Sequence, residues 1–85
     1  MTQILDVLAM QVIGIARYYL SLGAYIASIN RAKYVIEKYQ ETKAIEHALG
    51  IMAKAYQRMG LEQLHLDTLR VLRLNHPDSH YIKSS

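Results

Sequence analysis

An all-α fold is predicted from three features of the 85-residue sequence. It contains one proline and four glycines, too few for a turn-rich sheet protein. Its apolar residues recur at three and four positions, and Gly23 and Gly60, each at the end of such a pattern, stand 37 residues apart. With 52% hydrophobic and 20% charged residues the chain holds enough apolar surface to offset the ordering entropy of folding.

The first helix is expected from about Gln3 to Ser21, with Thr2 as N-cap and Leu22-Gly23 as its stop, since glycine takes the left-handed conformation that ends helices. Leu5, Leu8, Ile15 and Tyr19 form the stripe expected to pack inside the fold. The second helix runs from about Ala24 to Tyr39; Tyr25, Ile29, Ala32 and Ile36 share one side, while Lys33 and Glu37 stand one turn apart on the other. Gln40-Glu41-Thr42 is a polar break, with Thr42 expected to cap a third helix from Lys43 to Met59 that ends at Gly60. The fourth spans about Leu61 to Asn75 and stops at His76-Pro77, because proline lacks a donor and pushes the residue before it out of the helical region.

Shifting the chain by 37 residues carries Ile15 to Met52, Ala16 to Ala53, Tyr19 to Tyr56, Ile29 to Leu66 and Gln40 to Pro77. A helical hairpin repeating at roughly this period is the tetratricopeptide pattern; an ordinary four-helix bundle has no reason to repeat at a fixed shift. The expectation is four helices in two antiparallel hairpins, forming one domain over residues 1–81. Its repeats cover about 3–39 and 43–76, and residues 82–85 are expected to fray.

Several function classes find no support. A net charge of +3, with no run of five like charges and no aromatic ladder among arginines, is no footprint of a nucleic-acid binder. The charge-free stretch from Val7 to Ala16 falls short of the roughly 20 residues of a membrane span, so a buried core helix and no insertion into the membrane are expected. Four histidines, His47, His65, His76 and His80, invite a metal reading, but Pro77 breaks the one pair with helical spacing and no cysteine is present. No metal, cofactor or enzyme activity is expected, since no nucleophile constellation or phosphate loop occurs. His65 occupies a place where paired helices touch, so it is expected to be buried with a hydrogen-bond partner or to face an oligomer interface. Tyr19 and Tyr56 recur at the packing position of the repeat and Tyr25 and Tyr34 lie within a helix pair, so core packing is expected of them, while exposed tyrosines would suit a protein-binding groove.

The segments Ile15-Ala16-Arg17-Tyr18-Tyr19, Gly23-Ala24-Tyr25-Ile26-Ala27 and Asn30-Arg31-Ala32-Lys33-Tyr34-Val35 are more specific than a generic repeat. With Glu46-His47-Ala48-Leu49, Asp67-Thr68-Leu69-Arg70-Val71-Leu72 and Leu74-Asn75-His76-Pro77-Asp78-Ser79, they resemble the C-terminal part of the BamD (ComL) family of outer-membrane assembly lipoproteins. The resemblance runs from Ile15 to Tyr81. It implies a tetratricopeptide scaffold on the periplasmic face of the outer membrane, of which the last two repeats are here. The signal sequence, the lipid-carrying cysteine and the earlier repeats that would receive substrate are not. It also implies that Asn30 and Arg31 lie where relatives dock a periplasmic POTRA domain; the planar fork of arginine suits a partner carboxylate.

The first helix departs from that pattern, with Val7, Met10, Val12 and Gly14 where the family carries polar or charged residues. Val7, Met10 and Gly14 form a second apolar stripe that two repeats cannot cover, and Gly14 costs up to about 1 kcal/mol inside a helix, which makes sense if a neighbouring backbone must come close. Such exchanges along one face are also what an interface designer would introduce. The function expected is therefore a non-catalytic interaction module that self-associates, most simply as a dimer, through Val7, Met10, Ile13 and Gly14. The alternative is a natural family fragment that binds a POTRA domain without specific self-association.

Overall fold

The computed structural model describes residues 2–40 and 42–83. They form α1 (Thr2–Ser21), α2 (Tyr25–Lys38), α3 (Ala44–Arg58), α4 (Glu62–Asn75) and a short α5 (His80–Lys83). Two tight links make α1–α2 and α3–α4 antiparallel hairpins, and α3 packs against both helices of the first hairpin. The all-helical, two-hairpin architecture expected from the sequence is the one observed.

Both hairpin links end the same way. Gly23 and Gly60 adopt φ of 79° and 76°. Around the first, Ala24 N–H donates to Tyr19 O (2.9 Å) and Gly23 N–H to Leu20 O (3.1 Å); around the second, Leu61 N–H donates to Tyr56 O (3.0 Å) and Gly60 N–H to Gln57 O (3.1 Å). This paired bonding satisfies carbonyls a helix end leaves open, and its left-handed residue selects glycine. The expected caps fare differently. Thr2 already lies within α1. Thr42 does not cap α3; its hydroxyl donates back to Tyr39 O (2.8 Å), a carbonyl at the end of α2. The start of α3 is met from across the fold, where Asp6 Oδ1 of α1 accepts from Lys43 N–H (3.4 Å) and sets a negative charge at the positive end of the helix.

The main core joins Ala9, Ile13 and Ala16 of α1, Ile29, Ala32 and Val35 of α2, and Ala44, Ala48, Ile51, Met52, Ala55 and Tyr56 of α3. A second cluster joins Leu49 and Ala53 of α3 with Leu69 and Leu72 of α4, and Tyr81 and Ile82 of α5 pack on it. The tail expected to fray is thus helical as far as Lys83, because Tyr81 and Ile82 find apolar surface on α3 and α4.

The inward stripe of α1 differs from the expected one. Ala9, Ile13 and Ala16 face the core, whereas Leu5, Leu8 and Ile15 stay exposed and Tyr19 is half-buried. Alanine at two of the three inward places lets α2 and α3 approach closely, and that spacing decides which side of the helix is covered. Side-chain hydrophobicity alone favours the bulkier stripe. By length and composition Ile4–Ser21 would reach across a bilayer despite Asp6 and Arg17, contrary to the expectation that the stretch is too short. Only 17% of that window is buried, so α1 is not the buried core helix the sequence led us to expect: Ala9, Ile13 and Ala16 face the core and most of the helix surface is exposed.

Candidate docking surfaces

The 37-residue register holds at the level of single hydrogen bonds. Ser28 of α2 is buried and its hydroxyl donates to Ala16 O of α1 at 2.8 Å; His65 of α4, 37 residues later, is buried and bonds through Nδ1 to Ala53 O of α3, also at 2.8 Å. A carbonyl only accepts, so His65 Nδ1 carries the proton. The histidine is a strut between paired helices, as its place in the sequence led us to expect, and does not face the α1 surface.

The same register explains the outer side of α1. On α3, Ala44, Ala48, Ile51, Met52 and Ala55 are buried against the first hairpin. Their counterparts on α1 are Val7, Gln11, Gly14, Ile15 and Tyr18, all exposed, with Val7 58% and Tyr18 61% accessible. α1 therefore presents, bare, the face that α3 uses to stack on a neighbouring hairpin. Ile4 and Leu8 widen the patch and Met10 borders it. Exposed apolar surface of this kind is what protein partners commonly cover. Of the four residues expected there, Val7, Met10 and Gly14 are exposed and Ile13 is not: fully buried in the main core, it cannot touch a partner. A Cβ on Gly14 would meet nothing within 4 Å inside the chain, so no intramolecular contact accounts for that glycine.

Asn30 and Arg31 are exposed on the outer side of α2, with Tyr34, 45% accessible, one turn beyond Arg31. Among the described residues no ion pair involves Arg31; the ion pairs present are Arg70 with Asp67 (3.6 Å) and a long contact between His76 and Glu46 (3.9 Å). No cluster of three His, Cys, Asp or Glu residues able to hold a metal occurs among them.

A third arrangement was not foreseen from the sequence. Arg17 Nη2 of α1 donates to Tyr81 Oη (3.0 Å) and lies 3.1 Å from His47 Nδ1 of α3, and Tyr81 Oη and His47 Nδ1 are 2.8 Å apart. Arginine has no acceptor, so Nδ1 of His47 accepts here. The Tyr81 ring meets the His47 ring edge to face at 5.7 Å. Nothing in the sequence joins these three residues, and Tyr81 lies beyond Pro77, outside the apolar periods of the four expected helices.

The sequence model of the family described as outer membrane lipoprotein, YfiO, matches residues 1–72. The chain belongs to that family. It is 44% identical over 82 residues to the outer membrane protein assembly factor BamD of Neisseria meningitidis serogroup A, covering 96% of this chain and 31% of that protein. Against BamD of Neisseria gonorrhoeae the identity is 43% with the same coverage, and against BamD of Haemophilus influenzae it is 36% over 75 residues, 88% of this chain and 29% of that protein. The chain spans about a third of the length of these curated relatives. Membership in the YfiO family confirms the resemblance carried by the Ala-Arg-Tyr-Tyr and Asn-Arg segments and makes this a non-catalytic helical-repeat chain.

Proposed function

We propose that the chain is a docking module of outer-membrane assembly, at the periplasmic face of the outer membrane, engaging one neighbour through the apolar face of α1 and a second through Asn30 and Arg31. The observation that carries this is the bare stacking face: Val7, Gly14, Ile15 and Tyr18 repeat positions that are buried on α3. In the isolated chain a second copy is the simplest cover, because a self-complementary patch closes with two-fold symmetry. Burying Val7 and Met10 from both copies contributes roughly 1.5 to 3 kcal/mol per side chain before association entropy is subtracted. Light scattering of the purified chain is expected to give one defined dimer mass, and Val7→Glu with Met10→Lys is expected to return the monomer mass. A chain that is monomeric with or without these charges removes self-association from the proposal.

A second reading, docking without specific self-association, is supported by Arg31, whose charge is exposed and whose neighbour Tyr34 offers an aromatic face beside it. The relatives are named assembly factors, and a POTRA domain is the partner proposed. A charge-assisted, bidentate bond to a carboxylate is worth about 1.5 to 3 kcal/mol. Arg31→Glu is therefore expected to weaken capture of an isolated POTRA domain by tenfold or more. Capture unchanged by the reversal would place the contact elsewhere.

A further inference from the structure

The two ends of this short solenoid are treated differently. At one end the stacking face of α1 is bare. At the other, the surface of α3 and α4 that the register makes the seat of a following helix holds, among the described residues, the four of α5. That α5 occupies this seat follows from the turn before it. Thr42 N–H donates to Tyr39 O (3.1 Å) and Ile45 N–H to Thr42 O (3.4 Å) at the start of α3; Ser79 N–H donates to His76 O (3.0 Å) and Ile82 N–H to Ser79 O (3.2 Å) at the start of α5. Each pair is related by the same 37 residues. α5 is thus the first turn of a third unit, in the place where α3 begins on the first hairpin.

Side-chain sizes at the two junctions are exchanged. Ile13 on α1 and Ala44 on α3 become Gly50 on α3 and Tyr81 on α5. A Cβ on Gly50 would fall inside the Tyr81 ring, at the ring root and not its tip, so no larger residue fits while α5 is seated. The Tyr81 hydroxyl is held at the same time by Arg17 of α1 and His47 of α3. Beside Tyr81 and Gly50 a small cavity of about 30 Å³ is lined by Ala53, Lys54, Gln57, His65 and Leu69. Beyond it lies Leu66, 47% exposed, where its counterpart Ile29 is buried under α3.

We infer that the α3–α4 end is a second docking surface fitted to α1 of another copy, stacked head to tail as α3 stacks on the first hairpin, and that α5 is the cap that keeps it closed. Both halves of that contact are carried by every copy on different surfaces, so an uncapped chain forms a heterologous contact that repeats without closing. Helical arrays require closed ends for the same reason. The inference rests on the α1 face being a docking surface, as proposed above, but not on the two-fold pairing.

Gly50→Ala in the full chain displaces Tyr81 while favouring the α3 helix, and Tyr81→Ser releases the cap without touching α3. Sedimentation velocity across a hundredfold range of concentration, with circular dichroism to confirm the helices, is expected to show both variants growing well beyond dimer mass. Adding Ile15→Lys on α1, or Leu66→Glu on α4, is expected to abolish that growth. A mass for both variants equal to that of the unaltered chain at every concentration overturns the inference, as does growth that survives both added charges. An unaltered chain that is monomeric, beside variants that grow only without the added charges, supports the cap and removes the two-fold dimer.

Discussion

Replacing Ile13 by alanine is expected to lower the unfolding free energy by about 2 to 5 kcal/mol, a large part of what a domain of this size holds. Ile13 is fully buried where α1 meets α2 and α3, and six of the other eleven buried residues of the main core are alanines. Alanines cannot move in to fill the space of the three missing carbons, since each is fixed by its helix backbone, so most of the cavity persists. Ile13→Val should cost about 0.5 to 1.5 kcal/mol, and Val7→Ala, on the opposite side of the same helix, within about 0.5 kcal/mol in the monomer. Denaturant unfolding at a concentration where one species is present measures all three. The contrast separates fold from docking on one helix: Ile13→Ala should change stability and leave the mass in solution unchanged. If Val7→Ala in the monomer proved as costly as Ile13→Ala, the orientation of α1 described above would be wrong.

The second large effect concerns His65. His65→Ala removes the bond to Ala53 O and the imidazole that fills the space between α3 and α4, an expected loss of about 2 to 3 kcal/mol. The structure makes a sharper prediction through Ser28, which holds the corresponding bond in the first hairpin with a side chain less than half the size. His65→Ser should therefore recover about 1 kcal/mol relative to alanine, the worth of one intramolecular hydrogen bond. The same denaturation experiment reads the difference. Serine no better than alanine would mean that the two hairpins do not share one geometry, and the register argument for both docking ends would lose its basis.

These two residues also show how far local pattern reaches. Ser28 and His65 look unrelated, and nothing in their chemistry announces a common role. The register that links them was legible only through Gly23 and Gly60, whose left-handed φ is dictated by the way a helix ends. The turn glycines, Tyr19 with Tyr56 and Ala16 with Ala53 carried the two-hairpin fold. The inward side of α1 was not legible, because neither stripe read along the helix, Leu5-Leu8-Ile15-Tyr19 or Val7-Met10-Gly14, is the one that the approach of α2 and α3 turned inward. Ile13 shows the consequence: its spacing groups it with Met10 and Gly14, and its environment groups it with Ala44 and Ile51.

The docking face was half legible. Val7, Met10 and Gly14 stood out because the helix had more apolar surface than two repeats could cover, which is an argument of supply that needs no coordinates. That the face is the counterpart of one buried on α3 required knowing what α3 touches. The Arg17, His47 and Tyr81 cluster could not have been read at all, since its members are 30 and 34 residues apart in the chain and meet only where α1 packs on α3 and α5 returns onto it.

What the sequence determined by itself is therefore whatever local rules govern: where helices run, where they stop, that they repeat every 37 residues, and that α1 is too apolar for its own fold. What the tertiary structure alone decided is direction: which side of α1 is inside, which way Thr42 donates, and where the last four-residue helix lies. The reason is physical. Helix formation and termination depend on neighbours within a few positions, whereas the choice among apolar faces is made by how closely other helices can approach, and small side chains, invisible to any measure of hydrophobicity, set that distance.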